Sequence, residues 1–228
     1  MKISISLTGE ETYYGFVYLI AQFFLLPPLI NLLSSVLPTA PNDAQLNFLY
    51  YLLNFSAIVV IFRRFLWLNL ERLSMYPAYL FRVVLLGLAR YLLLNSLVGT
   101  LLVQLDPSYF NANDSAIAEL VRSELTLIAA GTILLVPVAE ESLFRGLIFG
   151  TLRKKSRIAA YLVSICVFSF VHLIGYFDTY TPMQLLISFL SYLPAGLCLG
   201  WAYEKADTIF APILIHAAVN AIGIYGMR

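Results

Sequence analysis

"LTLIAAGTILLVPVAEESLFRGLIFG" occupies residues 125–150 and carries only three charges, Glu140, Glu141 and Arg145. At about 1.5 Å of rise per residue, such a run crosses the roughly 30 Å hydrocarbon core of a bilayer. Backbone groups in lipid must be paired within the segment, so the run reads as a transmembrane helix. A charge near its middle costs about 2.5–3.5 kcal/mol on insertion scales and needs a partner or a cavity.

Outward from this helix the pattern repeats. The 228 residues are 61% hydrophobic and 12% charged, whereas a soluble domain is roughly 25% charged. Apolar runs near residues 13–37, 46–62, 78–105, 124–150, 158–176, 184–203 and 209–227 give an all-α polytopic membrane protein with about seven transmembrane helices and an intramembrane cavity. Pro27 and Pro28 are expected to kink or split the first run, which makes six or eight crossings possible. Residues 1–123 carry no motif, and residues 124–228 form the motif-bearing core of one integral domain. The formal net charge of +1 comes with no basic cluster of the size a nucleic-acid footprint needs, so that class is excluded. Cys166 and Cys198 lie in apolar runs without disulfide or zinc spacing and read as filler. The N-terminal stretch, with Lys2 followed by Glu10 and Glu11, lacks the basic start of a cleavable signal.

The short loops set an expected orientation. Arg63, Arg64 and Arg72 follow the second run, and Arg153, Lys154, Lys155 and Arg157 follow the fourth. Both loops fall on one side, which the positive-inside rule places in the cytoplasm together with the N-terminus, in a cell membrane. The other side carries Asp43, then Asp106, Asp114 and Glu119 with Arg122, and then Asp178. The polar stretch from Pro107 is expected to form a short surface helix capped by Asp114 or Ser115.

Helical spacing sorts the intramembrane polar residues. Glu141 and Arg145 stand four apart on one face and are expected to pair. Glu140 points about 100° away, along a stripe of Val136, Leu143, Phe144 and Leu147. An unpaired carboxyl there suits a general acid or base. The chain's two histidines, His172 and His216, both sit in apolar runs. Phe168 lies one turn before His172 and can support its ring. Asn220 lies one turn after His216, and the two offer donors on one face, as oxyanion stabilisation requires. Measured from the cytoplasmic ends of their runs, Glu140 lies about 15 Å deep, His216 about 10 Å, Asn220 about 16 Å and His172 about 21 Å, so they can converge. Pro137 and Pro212 precede Glu140 and His216 within a turn, where each can bend its helix around a cavity. Taken singly, the charges are also consistent with an interhelical salt bridge, and each histidine with an interhelical hydrogen bond.

Glu140, Glu141 and Arg145 in "EESLFR", Phe168 and His172 in "FSFVH", and His216 and Asn220 in "HAAVN" resemble the three motifs of the CAAX protease and bacteriocin-processing (Abi) family of intramembrane proteases. The resemblance covers roughly residues 124–225. It implies that Glu140 and His172 activate a water, that His216 and Asn220 stabilise the oxyanion, and that Glu141 and Arg145 hold the helix in register. It also implies a glutamate-dependent endopeptidase without cofactor, acting on a peptide or membrane-associated protein among membrane lipids, in processing or self-immunity. The eukaryotic enzymes to which the family is similar open their site towards the cytoplasm. Two alternatives stand beside this expectation. Glu140, His172 and His216 could instead hold zinc, although no H-E-x-x-H pair is present. A non-catalytic immunity factor, scaffold or small proton-relaying transporter could keep the same residues, although the internal repeats of a transporter are missing.

Overall fold

In the computed structural model, which describes residues 5–107 and 111–227, the chain folds into helices α1 (Gly9–Ser35), α2 (Asp43–Ile61), α3 (Arg63–Met75), α4 (Pro77–Leu105), α5 (Ala112–Ala130), α6 (Val136–Glu141), α7 (Gly150–Leu152), α8 (Arg157–Val171), α9 (Pro182–Ser191), α10 (Leu193–Ala206) and α11 (Phe210–Gly226). Among the described residues there is no strand. Two π-helical segments, Gly131–Leu135 and Ser142–Phe149, flank α6 and fuse it with α5 and α7 into one run, Ala112–Leu152. Six runs are long and apolar enough to cross a membrane: α1, α2, α4, Ala112–Leu152, Arg157–Tyr176 and Pro182–Ala206. The seventh, α11, has 17 residues and is apolar, about 25 Å at 1.5 Å per residue. The chain is an all-helical, multi-pass membrane protein, in accord with the expected seven spans.

The structure departs from expectation at two breakpoints. Pro27 and Pro28 leave α1 continuous, so the first run stays one crossing. A proline inside a membrane helix is tolerated when neighbouring groups satisfy the freed carbonyls. The cap of α5 is neither Asp114 nor Ser115. Asn111 takes that place, its side chain accepting from the Asp114 amide at 3.0 Å while its own Nδ2 donates to Ser191 Oγ at 2.7 Å. The leading part of α5 therefore packs on α9 instead of lying free on the surface, and it bends into the membrane run at Glu124 (φ −147°, ψ 67°).

The end of the bundle that carries the basic loops is tied shut by polar side chains. Glu11, near the start of α1, accepts from the Thr8 amide at 2.8 Å in a capping box and from the Phe65 amide in the first turn of α3 at 2.9 Å. Asn69 of α3 donates to the Phe65 carbonyl at 2.8 Å and accepts from the Ile209 amide at 2.9 Å. Asp207, the one described non-glycine residue with positive φ (52°), receives Arg72 at 2.9 Å and Arg153 at 3.1 Å. Between these ties, Ile58, Phe62, Phe65, Leu143, Leu147, Phe149, Tyr203 and Ile209 form a close-packed core. Because Glu11 and Asn69 are buried and each satisfies backbone donors of another element, Glu11→Ala and Asn69→Ala are each expected to cost about 1–3 kcal/mol. Thermal unfolding in detergent checks this, and a loss no larger than that of an exposed Glu10→Ala control is the contrary result.

Candidate active site in the bundle

The opposite half of the bundle is hollow. A cavity of about 700 Å³ runs from Glu140 past Asn220 and Thr132 to Asn111, Asp114 and Tyr176, within the size range of small-molecule and cofactor sites. Its walls come from every apolar run, including Gln22 of α1, Asn47, Tyr51 and Asn54 of α2, and Asn95 of α4. Gly131 allows this approach of α2, since a Cβ there would stand 2.5 Å from the Tyr51 ring.

The helix around the carboxylates is not a regular α-helix. The π segments bond five residues apart and take an extra residue per turn, a geometry that recurs at functional sites. Side-chain hydroxyls answer displaced carbonyls here: Ser142 donates to Val138 O at 2.7 Å, and Ser164 of α8 donates to Phe144 O at 2.9 Å. The wider turn also corrects the expected stripe. Val136, Glu140, Leu143 and Phe144 line the cavity, but Leu147 is rotated into the core and is fully buried.

The structure brings Glu140, His172 and His216 together. Glu140 Oε2 lies 3.8 Å from His172 Nε2 and 4.0 Å from His216 Nε2, with its side chain 26% exposed to the cavity. The Nδ1 of His172 stands 2.7 Å from the Phe168 carbonyl. A carbonyl only accepts, so that nitrogen carries a proton and Nε2 is the ring atom turned to Glu140. His216 Nδ1 stands 2.8 Å from Glu141 Oε1, and the same logic holds, with a carboxylate as acceptor. Both gaps to Glu140 exceed a direct hydrogen bond and match the span of one bridging water.

Glu141 is thus more than half of a structural pair. It meets Arg145 at 3.0 Å as expected, both side chains being 0% exposed, and it also fixes the His216 ring. Phe168 stands behind the group, its ring 4.7 Å from His172 and 4.3 Å from the Arg145 guanidinium. Asn220 lines the cavity, and one of its amide hydrogens goes to the Thr132 carbonyl at 2.8 Å, leaving one for other acceptors.

Sequence reasoning missed Tyr192, which stacks on His172 with centroids 4.3 Å apart and donates from its hydroxyl to Asn111 at 3.2 Å. No spacing pointed to it. The wall residues Gln22, Asn47, Asn54 and Asn95 did carry a signal, being polar residues within apolar runs, the same signal that singled out Glu140.

Glu140, His172 and His216 are the side chains that could share a metal ion. Two ligands of one tetrahedral zinc stand about 3.4 Å apart given bonds of 2.0–2.2 Å, closer than the 3.8 and 4.0 Å here. Among the described residues no group of three or more His, Cys, Asp or Glu is arranged to hold a metal.

A half-buried glutamate facing two histidine nitrogens in a polar, membrane-embedded cavity defines a class of intramembrane site. Residues 122–222, which contain all three motifs, match the family described as type II CAAX prenyl endopeptidase Rce1-like, and the resemblance read from Glu140, Arg145, Phe168, His172, His216 and Asn220 is borne out. The matched family is one of proteases. The chain is also similar to UPF0177 protein YxdF of Lactococcus lactis subsp. lactis (strain IL1403), with 32% identity over 90 residues, 40% of this chain and 44% of that protein. The match thus spans less than half of that relative's length. No solved structure matches.

Proposed function

We propose that this chain is an intramembrane endopeptidase of the CAAX-protease-like type that hydrolyses a peptide bond with a water activated by Glu140 and His172. The observation that carries the reading is the placement of Glu140 Oε2 between the Nε2 atoms of His172 and His216 at the closed end of the cavity. A water held there gives one proton to the Glu140 carboxylate as its oxygen attacks the scissile carbonyl carbon, and His172 Nε2 accepts its second hydrogen as a hydrogen bond. The carbonyl oxygen becomes an oxyanion facing the remaining N–H of Asn220 and, when His216 Nε2 has taken up a proton from solvent before the attack, that ring as well. Glu141 supports the cationic ring by accepting its Nδ1–H. Collapse of the tetrahedral intermediate breaks the C–N bond, and the leaving amine takes the proton from Glu140. No step requires a metal. The substrate is a peptide or membrane-associated protein, and the N-terminus and the basic loops lie in the cytoplasm of a cell bounded by this membrane.

The test is to incubate purified protein in lipid vesicles, with and without a strong chelator, with a mixture of unstructured peptides. New termini are read by mass spectrometry. Termini made by wild type in both conditions and missing with Glu140→Gln are expected. The same termini from both proteins overturn the general-base assignment, and loss to chelator with recovery on adding zinc overturns metal-free chemistry.

A further inference from the structure

The cavity and the charge pattern point in opposite directions along the bundle. Below Glu140, towards α7 and the basic loop after it, Leu143, Leu147, Phe149, Phe62 and Phe65 close the way, all of them 2% exposed or less. Glu11, Asn69 and Asp207 tie the elements at that end together. Above Glu140 the lining continues through Thr132, Asn113 and Asp114 to Gly175 and Tyr176, next to the segments that join α4 to α5 and α8 to α9. The mouth therefore belongs to the end of α8 opposite Arg157.

Charge separates the same two ends. The closed end carries Arg63, Arg64 and Arg72, the cluster from Arg153 to Arg157, and Lys205. The connecting segments at the mouth, 36–42, 106–107 and 172–181, contain Asp106 and Asp178 and no lysine or arginine, and the leading part of α5 adds one basic residue, Arg122, with Glu119 and Asp114. Short loops rich in Lys and Arg stay in the cytoplasm. Arg90 adds to the pattern, its guanidinium 3.9 Å over the Trp201 ring in a groove it shares with Arg157, as a cation and an indole near one interface do.

We propose that the cavity opens on the extracytoplasmic side and receives an extended polypeptide segment that has crossed the membrane, not a cytoplasmic C-terminus. The wall suits such a segment. Asn47, Asn95, Asn113 and Tyr91 offer neutral donors and acceptors to peptide groups, and among the described residues no lysine or arginine lines the cavity. The direction is the reverse of the cytoplasm-open site that the family resemblance implies. The proposal rests on the peptidase reading only for what enters, since the side of entry stands on packing and charge alone.

The test replaces Cys166 and Cys198 with alanine in the full chain and adds one exposed cysteine at a time, Asp178→Cys near the mouth or Lys154→Cys in the basic loop. Intact and permeabilised bacterial cells are treated with a membrane-impermeant maleimide. Labelling of Asp178→Cys in intact cells, and of Lys154→Cys only after permeabilisation, is expected. Labelling of Lys154→Cys in intact cells, or protection of Asp178→Cys until permeabilisation, overturns the proposal and leaves the peptidase reading untouched. Conversely, the expected labelling together with no new termini from the wild type in the peptide assay removes the peptidase reading and leaves the orientation standing.

Discussion

Glu140→Gln is expected to lower kcat for peptide cleavage by about 10²–10⁴-fold, the usual worth of a positioned general base, with little change in stability. The amide keeps the size of the side chain but cannot take a proton from water. Stability is largely spared because Glu140 Oε2 has no hydrogen-bond partner among the described residues and its side chain reaches the cavity, so no direct hydrogen bond of that oxygen is lost. Glu140→Asp separates geometry from chemistry. It keeps the base but withdraws it by about one methylene, about 1.5 Å, widening gaps of 3.8 and 4.0 Å that are already at the span of a single water. A misplacement of about 1 Å can cost about 10²-fold, so this variant should be impaired nearly as much. Asn220→Ala should lose about 10²–10³-fold, the range for one oxyanion donor. Activity near wild type in Glu140→Gln, with the fold checked by thermal unfolding, would sink the general-base role.

The span pattern was legible because lipid leaves the backbone no choice except helix, and hydropathy alone then places the runs. The convergence of Glu140, His172 and His216 was legible because ionisable groups in lipid need partners and the chain holds few. By sequence depth the two histidines fall about 5–6 Å to either side of Glu140, about 11 Å apart, an offset that side-chain reach and the bent helices close. What failed was what depends on regular turns. The stripe through Leu147 assumed 3.6 residues per turn, and the π segment from Ser142 to Phe149 rotates that residue into the core. The cap of α5 was sought at Asp114 or Ser115, yet Asn111 a few residues earlier in the same polar run takes it, and α9 supplies Ser191 to hold that side chain. Tyr192 is placed by tertiary packing and no local period encodes it, whereas Asn47 and Asn54 of the α2 wall stood out as polar residues in an apolar run.

Glu141 was read as one member of an i, i+4 pair, and its contact with His216 makes a second expected result asymmetric. Glu141→Gln leaves the Arg145 guanidinium, fully buried, without its contacting carboxylate, and only the Phe168 face and the more distant Glu140 remain. Breaking a buried ion pair by removing one partner costs about 3–5 kcal/mol because a charge is left uncompensated. Arg145→Met leaves the opposite remnant. The Glu141 carboxylate still accepts from His216 Nδ1 at 2.8 Å, and that ring can take up a proton and become the missing cation, while the thioether fills space against Phe168. The second variant is therefore expected to lose clearly less stability than the first, although removing Arg145 deletes the larger side chain. Thermal unfolding of both variants in the same detergent decides it. An equal or greater loss in Arg145→Met would mean that His216 does not share the carboxylate, and the support that Glu141 lends to a protonated His216 at the oxyanion would fall with it.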